Sequence, residues 1–333
     1  MLVNRHKSSV PFAWRSALAW TLKIAVTLGL SYALYRQVFV DDDYRALTTQ
    51  FARGLDARAW LYLSVAALLL PANLLLEALK FSDLLRATDA ANANIRLALR
   101  RVLAGIAVGI FTPNRVGEYL GRLLEARPGE RGALVAATFI GGLAQWLPLL
   151  LGGLLAGWFW AARLAQPPSF LPALLWAASV AVLGFGVSYL ALPRVITLLA
   201  RVPWLARRLR DLDGGTDVRL ATRLRVLAYA ALRYGVYLAQ ISLVFVALGL
   251  DVGWGATVAG TALMLLAQTF LPLPAVAQSL ARTELGMLIW AAAAPNPLAL
   301  GAASLFVFVL NLSLPALVGL GLILRSDVER SLT

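Results

Sequence analysis

Long apolar stretches, separated by short polar segments, follow one another along the chain. Six of them, at about 16–39, 59–80, 132–161, 171–192, 226–250 and 298–324, reach the roughly 20 residues that a helix needs to cross a bilayer. Because lipid offers backbone N–H and C=O groups no other partners, each stretch predicts a membrane-spanning α-helix. We therefore predict an all-α, polytopic membrane protein that forms a single integral membrane domain over residues 1–333.

The placement of arginine predicts the orientation of these spans, because cytoplasmic loops are enriched in Lys and Arg. Segment 193–225 carries eight Arg against three Asp and predicts a basic cytoplasmic connection between two halves. The loops 41–58 and 162–170 are poorer in Arg and predict external positions. The N-terminal tail 1–15 and the C-terminus are then expected in the cytoplasm, with 16–39 retained as a first span rather than cleaved as a signal peptide.

Two shorter apolar pieces do not fit a crossing. The first, 102–112, has arginines on both flanks and only eleven residues, which favours a re-entrant dip from the cytoplasmic side. The second lies within 251–297, which is expected to begin and end outside, with the tip of an inward dip at 272–284. Opposed hairpins in successive halves are typical of inverted-repeat transporters. An inverted repeat and an unrelated pair of turns both stay open as interpretations, since the spacings of the two turns differ.

Composition excludes other classes of protein. The chain is 60% hydrophobic and 14% charged, whereas an average soluble domain carries about 25% charged residues, so neither a soluble globular protein nor a disordered chain is expected. The sequence has no Cys and one His, which excludes thiolate chemistry, disulfides and multi-His metal sites, and no cofactor is expected. The formal charge of +13 follows from the basic cytoplasmic segments, and no nucleic-acid partner is predicted.

The segment FTPNRVGEYLGRLL carries the densest group of charged and turn-forming residues. Pro113 and Gly117 predict a sharp turn after the first short apolar piece. Arg115, Glu118 and Arg122 follow at spacings of three and four, which places them on one face of a helix. One interpretation is an ion-pair ladder at the membrane surface. The other is a pair of guanidinium groups that binds phosphate and is positioned by Glu118.

The second predicted turn repeats these residue types. Pro272 and Pro274 end the second apolar piece, and Arg282, Glu284 and Gly286 follow them. The bending of the chain is assigned to Pro113, Gly117, Pro272, Pro274 and Gly286. Substrate contact is assigned to Asn114, Arg115, Glu118, Arg122, Arg282 and Glu284.

Other polar residues fall inside the apolar stretches. Glu77 and Lys80 favour an ion pair near the inner interface, with a carboxylate facing a cavity as the alternative. Arg233 is expected to extend toward the cytoplasm along its own helix, with contact to substrate as the alternative. The expected interhelical hydrogen-bond partners are Gln145, Gln240, Gln268 and Asn311.

The segment TPNRVGEYLGR resembles the Pro-x-Arg-x-Gly-Glu signature of the lysylphosphatidylglycerol synthase transmembrane region, also called the flippase-like domain family. ARTELG at 281–286 and FVLNLSLPALVGL at 308–320 resemble the closing segments of that family, so the resemblance extends from about 15 to 325. It implies a multi-pass protein of the bacterial inner membrane, with relatives that move aminoacylated phospholipids between leaflets. The matching positions are Pro113, Arg115, Gly117, Glu118 and, at the second acidic position, Glu284.

Two departures limit what the resemblance implies. The full-length synthases carry a soluble aminoacyl-transferase domain after the membrane region, whereas this chain ends nine residues after its last predicted span, so synthase activity is not expected. Many members carry an acidic–basic pair in the span after the first motif. Here that place reads FIGGLAQW, with Gln145 as its only polar side chain, so the resemblance does not specify the substrate.

The motifs and the resemblance together predict a lipid flippase, and not an enzyme, that moves an anionic phospholipid or lipid-linked headgroup. Membrane lipids are the expected partners, with Arg115, Arg122 and Arg282 on the phosphate and with Glu118 and Glu284 orienting them or carrying protons. One alternative is an intramembrane transferase acting on a polyprenol- or phospholipid-linked substrate, and another is a non-transporting partner subunit. The transferase needs a donor-binding domain, for which no loop is long enough.

Overall fold

The computed structural model of the chain describes residues 21, 28–29, 31–32, 35–36, 44–88, 94–112, 115–124, 126, 129–202 and 218–332. Every regular element among these residues is helical, as predicted. Most of the predicted first span 16–39, the turn residues Pro113 and Asn114, and 203–217 of the basic connection lie outside the described residues.

The helices follow one another with short connections. In chain order they are α1 (Tyr44–Gly54), α2 (Ala57–Ala87), α3 (Ile95–Gly109), α4 (Gly117–Leu123), α5 (Arg131–Ala161), α6 (Leu171–Leu190), α7 (Leu192–Leu199), α8 (Leu220–Ala247), α9 (Trp254–Thr269), α10 (Ala275–Ile289), α11 (Pro297–Phe308) and α12 (Leu314–Leu332). A π-helical turn, Val309–Ser313, joins α11 to α12 without a break, and a short 3-10 turn, Ala291–Ala293, follows α10.

Five segments of the described chain are long and apolar enough to cross a membrane, and they coincide with five of the six predicted spans. They are α2, α5, α6, α8 and the continuous stretch Pro297–Arg325. Two of them are longer than predicted at one end. α2 continues to Ala87 and α8 begins at Leu220, because the polar residues beyond the apolar stretch are also good helix formers. The all-α, multi-pass architecture is confirmed at this level.

Short polar side chains set where several helices begin. Asp56 accepts a hydrogen bond from the Ala59 amide at 2.8 Å at the start of α2, and Asn94 does the same for the Leu97 amide at the start of α3. Such caps satisfy amide groups that have no partner within the helix. The two caps therefore fix where the first long span and the first short helix enter the bundle.

The bundle is built around α2 and α8, which pack along each other, with α5 against both. One buried cluster contains Phe81, Leu84 and Ile140, and a second contains Phe245 and Trp290. The helix α6 lies at the periphery, where only Leu175 and Tyr189 are buried. Its other apolar side chains face outward, as expected for a surface that lipid covers.

The helices α3 and α4 form a hairpin in which the two arms touch through their backbones. A Cβ on Gly121 would overlap the carbonyl oxygen of Ala104, and one on Gly117 would lie 2.7 Å from the carbonyl oxygen of Val108. Small residues at such spacing let helix backbones approach closely. The position of α4 against α3 therefore depends on glycine at both places.

The helices α9 and α10 form a second hairpin whose turn is shorter than predicted. The turn covers residues 270–274, with Pro272 and Pro274 in it, whereas the sequence predicts a tip extending to 284. Arg282 and Glu284 instead lie inside α10, because 275–281 contains no Gly or Pro and is rich in helix-forming residues. The assignment of Gly286 to a bend is wrong for the same reason: it is buried inside α10, with the Trp290 ring 3.2 Å from where its Cβ would be.

The described ends of the basic connection are also helical. Residues 192–199 form α7, and Arg223 and Arg225 belong to α8 rather than to a loop. The buried Arg223 guanidinium donates to the carbonyl oxygens of Tyr189 and Leu190. A cation is favoured at the C-terminus of a helix, where carbonyl groups lack partners. Arg223 thereby attaches the end of α6 to α8.

Candidate functional site

A cavity of about 460 Å³ lies in the middle of the bundle. Residues of α2, α3, α4, α5, α8, α9, α10, α11 and the π-helical turn line it, so both hairpins reach it. Arg233 lies near the midpoint of α8, about 20 Å from either end at 1.5 Å per residue. Glu77 lies about 30 Å from the start of α2 and about 15 Å from its end. The cavity is therefore deep inside the apolar part of the chain.

Glu77 is the centre of the charged side chains that line this cavity. Its Oε2 atom lies 2.6 Å from Lys80 Nζ and 3.4 Å from Arg233 Nη1, and its Oε1 atom accepts a hydrogen bond from Arg122 Nη2 at 2.9 Å. The exposed fractions of Glu77, Lys80 and Arg122 are 6%, 3% and 5%. Taking charges out of water is costly unless they are paired, so this carboxylate helps to keep two buried cations, Lys80 and Arg122, and the partly buried Arg233 close together.

A second carboxylate, Glu118 on α4, holds the remaining cation of the first hairpin. Glu118 contacts Arg115 Nε through Oε1 and lies 3.6 Å from Arg122 Nη2 through Oε2. The three charges therefore form the predicted plus–minus–plus row of contacts, but only Glu118 and Arg122 share a face of α4, because Arg115 precedes the helix. The Arg122 guanidinium also stacks over the Phe81 ring, 4.6 Å from its centroid, an arrangement that holds the planar group in one orientation.

Glycines on α3 make room for these two side chains. A Cβ on Gly109 would lie 2.8 Å from Glu118 Cγ, and one on Gly105 would lie 3.1 Å from Arg122 Cγ. The Glu118 and Arg122 side chains therefore pack against the glycine backbone of α3 and extend from there to the cavity. This explains how charged residues can be present on the inner face of so tight a hairpin.

Arg115 adopts a backbone conformation that is rare for a residue with a side chain. Its φ angle is +58°, in the left-handed region, where a Cβ costs about 1–2 kcal/mol. Strained residues of this kind are found at functional sites more often than elsewhere. Here the conformation directs Arg115 from the turn of the first hairpin into the cavity wall.

Arg233 is held by three helices rather than extending toward the cytoplasm as predicted. Its Nε donates to Asn73 Oδ1 at 2.8 Å and its Nη1 donates to Gln145 Oε1 at 3.1 Å. Asn73 is on α2 and Gln145 is on α5, and both line the cavity. The polar side chain that replaces the acidic–basic pair of the resembled family, Gln145, is thus part of the site.

The second hairpin contributes one cation and several neutral polar groups. Arg282 on α10 is buried, and its Nε donates to Gln268 Oε1 at 3.3 Å while its Nη1 donates to the Ser304 carbonyl at 3.5 Å. Glu284 is not among the cavity-lining residues. Positions two apart on a helix point about 200° apart, so Arg282 and Glu284 do not face the same space.

The π-helical turn between α11 and α12 also faces the cavity, through Asn311 and Leu312. Pro315 explains the wide turn, because its ring would collide with the carbonyl group of Asn311 in a regular helix and it has no N–H to donate. Asn311 donates to the Val307 carbonyl of its own helix, at 3.4 Å, rather than between helices as predicted. The interhelical bonds predicted for Gln145, Gln240 and Gln268 are present.

The charges of the cavity do not balance. Among the described residues, Lys80, Arg115, Arg122, Arg233 and Arg282 line it with five positive charges, and Glu77 and Glu118 with two negative charges, which leaves a net charge of +3 (5 − 2). A net charge in an apolar environment is unfavourable without a counter-ion. In the part of the chain that the structure describes, no group of acidic side chains, His or Cys is arranged to hold a metal ion.

Sequence reasoning assigned four of the cavity-lining residues to the site: Arg115, Glu118, Arg122 and Arg282. It missed Glu77, Lys80 and Arg233, which it expected to pair near the interface or to extend along a helix. Their depth is seen only in the structure, where the two helices extend beyond the apolar stretches and Glu77 and Arg233 lie at least ten residues from the helix ends. Charges at such depth usually face a partner or a cavity.

No match to this chain is found among protein-family models, among curated proteins or among solved structures.

Proposed function

We propose that the protein binds an anionic lipid headgroup in the central cavity and moves it across the membrane. The observation that supports this most directly is the net charge of +3 in a cavity at membrane depth. A phosphate group supplies the missing negative charge and matches the planar guanidinium groups of Arg115 and Arg122 in geometry. Both cavity carboxylates are engaged by guanidinium groups, so no observation favours the transferase alternative.

The two hairpins support transport rather than binding alone. In the proposed topology α3 and α4 dip into the membrane from the cytoplasm, and α9 and α10 dip from outside, so that their turns meet at the cavity. Thr269 lies about 22 Å along α9 from Trp254 at 1.5 Å per residue. Transporters built from inverted repeats bind substrate near the midplane with interrupted helices of this kind. In this proposal both termini are cytoplasmic, as the distribution of arginine predicts, and the membrane is the bacterial inner membrane, as the family resemblance implies.

Replacing Arg115 with Gln is expected to slow lipid movement by about 10- to 100-fold, because a hydrogen bond to a charged group contributes about 1.5–3 kcal/mol. Arg115 is partly exposed and contacts only Glu118 among the acidic side chains, so the variant should still fold. The measurement is the rate at which labelled anionic phospholipids leave the outer leaflet of reconstituted vesicles. Arg225→Gln is the matched control, since Arg225 pairs with Asp83 outside the cavity and should leave the rate unchanged. Wild-type protein that moves none of several lipid classes faster than protein-free vesicles would contradict the proposed function.

The proposed topology predicts the labelling of single cysteines, which can be introduced into a chain that has no Cys of its own. Arg96 and Arg131 flank the first hairpin, Asp251 and Ala293 flank the second, and all four are exposed. In intact cells a membrane-impermeant thiol reagent should label Asp251→Cys and Ala293→Cys only. After permeabilisation it should also label Arg96→Cys and Arg131→Cys. Labelling of one flank of either hairpin from the opposite side would show that the hairpin is a full crossing.

A further inference from the structure

We infer that the cavity selects headgroups that are both anionic and rich in hydroxyl groups, such as a phosphate that carries a sugar or another polyol, over headgroups that carry an amine. This rests on the proposed entry of a headgroup into the cavity and specifies its chemical class. The walls of the cavity differ in character. Helices α2, α4 and α8 provide most of the cations, and the second hairpin and the π-helical turn provide mainly neutral polar groups.

The charged wall disfavours an amine. A headgroup ammonium binds most strongly to a carboxylate, and among the described residues the carboxylates that line the cavity are Glu77 and Glu118. Glu77 has three cations within 3.4 Å, and Glu118 contacts two arginines. An ammonium at either carboxylate would add a positive charge beside several others, and like charges at short range repel strongly in a medium of low dielectric constant. The same wall attracts a phosphate.

The neutral wall favours hydroxyl groups because its side chains keep both acceptors and donors. Thr269 and Ser279 donate their hydroxyl hydrogens to the carbonyl groups of Leu265 and Val276, at 2.8 and 2.6 Å, which leaves their oxygen lone pairs as acceptors. Gln278 and Asn311 each donate through the amide nitrogen to a backbone carbonyl group, and each amide keeps its oxygen and a second N–H. A ligand hydroxyl group both donates and accepts, so it complements such a surface without carrying charge.

The dimensions of the cavity fit both parts of such a headgroup. A volume of about 460 Å³ is within the range of small-molecule sites, roughly 300–1,000 Å³, and exceeds what a phosphate alone would fill. The rings of Trp146, Tyr234 and Tyr237 also line it and provide flat apolar surfaces for the C–H face of a sugar or polyol ring. A phosphate on the charged wall therefore leaves room for a hydroxylated ring against the neutral wall.

The test is a binding series on the purified full-length chain in a neutral detergent, with lipids that share the same acyl chains. Phosphatidic acid has the phosphate alone, phosphatidylinositol adds a ring of hydroxyl groups, and phosphatidylethanolamine carries an amine. We expect phosphatidylinositol to bind about tenfold more tightly than phosphatidic acid, as two added hydrogen bonds would give, and phosphatidylethanolamine to bind at least tenfold more weakly than either. Equal binding of the first two lipids, or preference for the amine, would overturn the inference.

Variants of the neutral wall should remove the preference without removing phosphate binding. Gln278→Leu is expected to reduce the ratio of the two affinities at least fivefold while the affinity for phosphatidic acid stays the same. Ser279→Ala serves the same purpose if Gln278→Leu does not fold. A ratio that both variants leave intact would contradict the role of this wall.

Two further measurements distinguish a lipid ligand from a soluble one, and the inferred headgroup class from the proposed transport function. Binding of inositol 1-phosphate as tight as that of phosphatidylinositol would identify a soluble ligand with the same chemistry and would contradict transport of a lipid. If the protein binds these lipids selectively but moves no lipid between leaflets, the inferred headgroup class is supported and the proposed transport function is contradicted. If the protein moves lipid without selectivity among headgroups, the transport function is supported and the inferred headgroup class is contradicted.

Discussion

Replacing Glu77 with Ala is expected to lower the free energy of unfolding by about 3–5 kcal/mol, the cost of removing one partner from a buried ion pair. The reason is that Lys80, Arg122 and Arg233 all contact this carboxylate, and the first two are buried, so its removal leaves their charges poorly compensated. Titration with a denaturing detergent in mixed micelles measures the loss. Few single substitutions elsewhere in the chain should destabilise it as much.

The matched control for Glu77 lies on the same helix. Asp83 pairs with Arg86 and Arg225, whose side chains are 63% exposed in both cases, and exposed ion pairs contribute about 0–1 kcal/mol. Asp83→Ala should therefore change the unfolding free energy by no more than about 1 kcal/mol. Combining Glu77→Ala with Lys80→Met should restore part of the lost stability, because one of the unpaired cations is removed with the carboxylate. If the loss of unfolding free energy in the double variant equals the sum of the losses in the two single variants, Glu77 and Lys80 are not coupled.

Replacing Gly121 with Ala is expected to destabilise the first hairpin by about 1–3 kcal/mol, the usual cost of overpacking a close contact. The added methyl group meets the backbone of Ala104, which has no side-chain rotation with which to yield. The arms of the hairpin must then separate, and Arg122, the next residue, moves away from Glu77. We expect anionic lipid to bind at least tenfold more weakly, which an affinity measurement in detergent and an unfolding titration together would detect.

Gly184 on α6 provides the control for Gly121. Nothing lies within 4 Å of where its Cβ would be, so Gly184→Ala should leave binding unchanged. Stability should stay the same or rise by up to about 1 kcal/mol, since Ala is the better helix former. A Gly121→Ala protein with the stability and affinity of the wild type would contradict the backbone contact between α3 and α4.

The membrane-spanning helices were predictable because each is identified by the residues of its own segment. A run of about 20 apolar residues identifies a crossing helix without any knowledge of its neighbours, and α5 and α6 match their predicted ranges within two residues. The face of α4 that carries Glu118 and Arg122 was predictable for the same reason, since the two residues are one helical turn apart, whereas the left-handed backbone of Arg115 before the helix was not. Helix periodicity specifies such a face before any packing is known.

The charged centre of the cavity was not predictable in this way because its contacts are not local. The hydrogen bond between Arg233 and Asn73 joins residues 160 positions apart, and that between Arg122 and Glu77 joins residues 45 apart. No spacing rule relates such pairs. The misplaced tip of the second hairpin has another cause: Arg282 and Glu284 suggested a turn by their charge, whereas the surrounding residues favour a helix. The family resemblance and the transport activity stay predictions.

The glycine contacts between α3 and α4 restrict how the charges of the first hairpin can move. Where Gly117 and Gly121 meet the backbone of α3 there is no side chain that could repack, so the two arms have little freedom to slide against each other. The backbone that carries Glu118 and Arg122 is therefore expected to move together with α3. Glu77 belongs to a different helix, so the separation between Glu77 and Arg122 is the coordinate along which such a displacement would be measured.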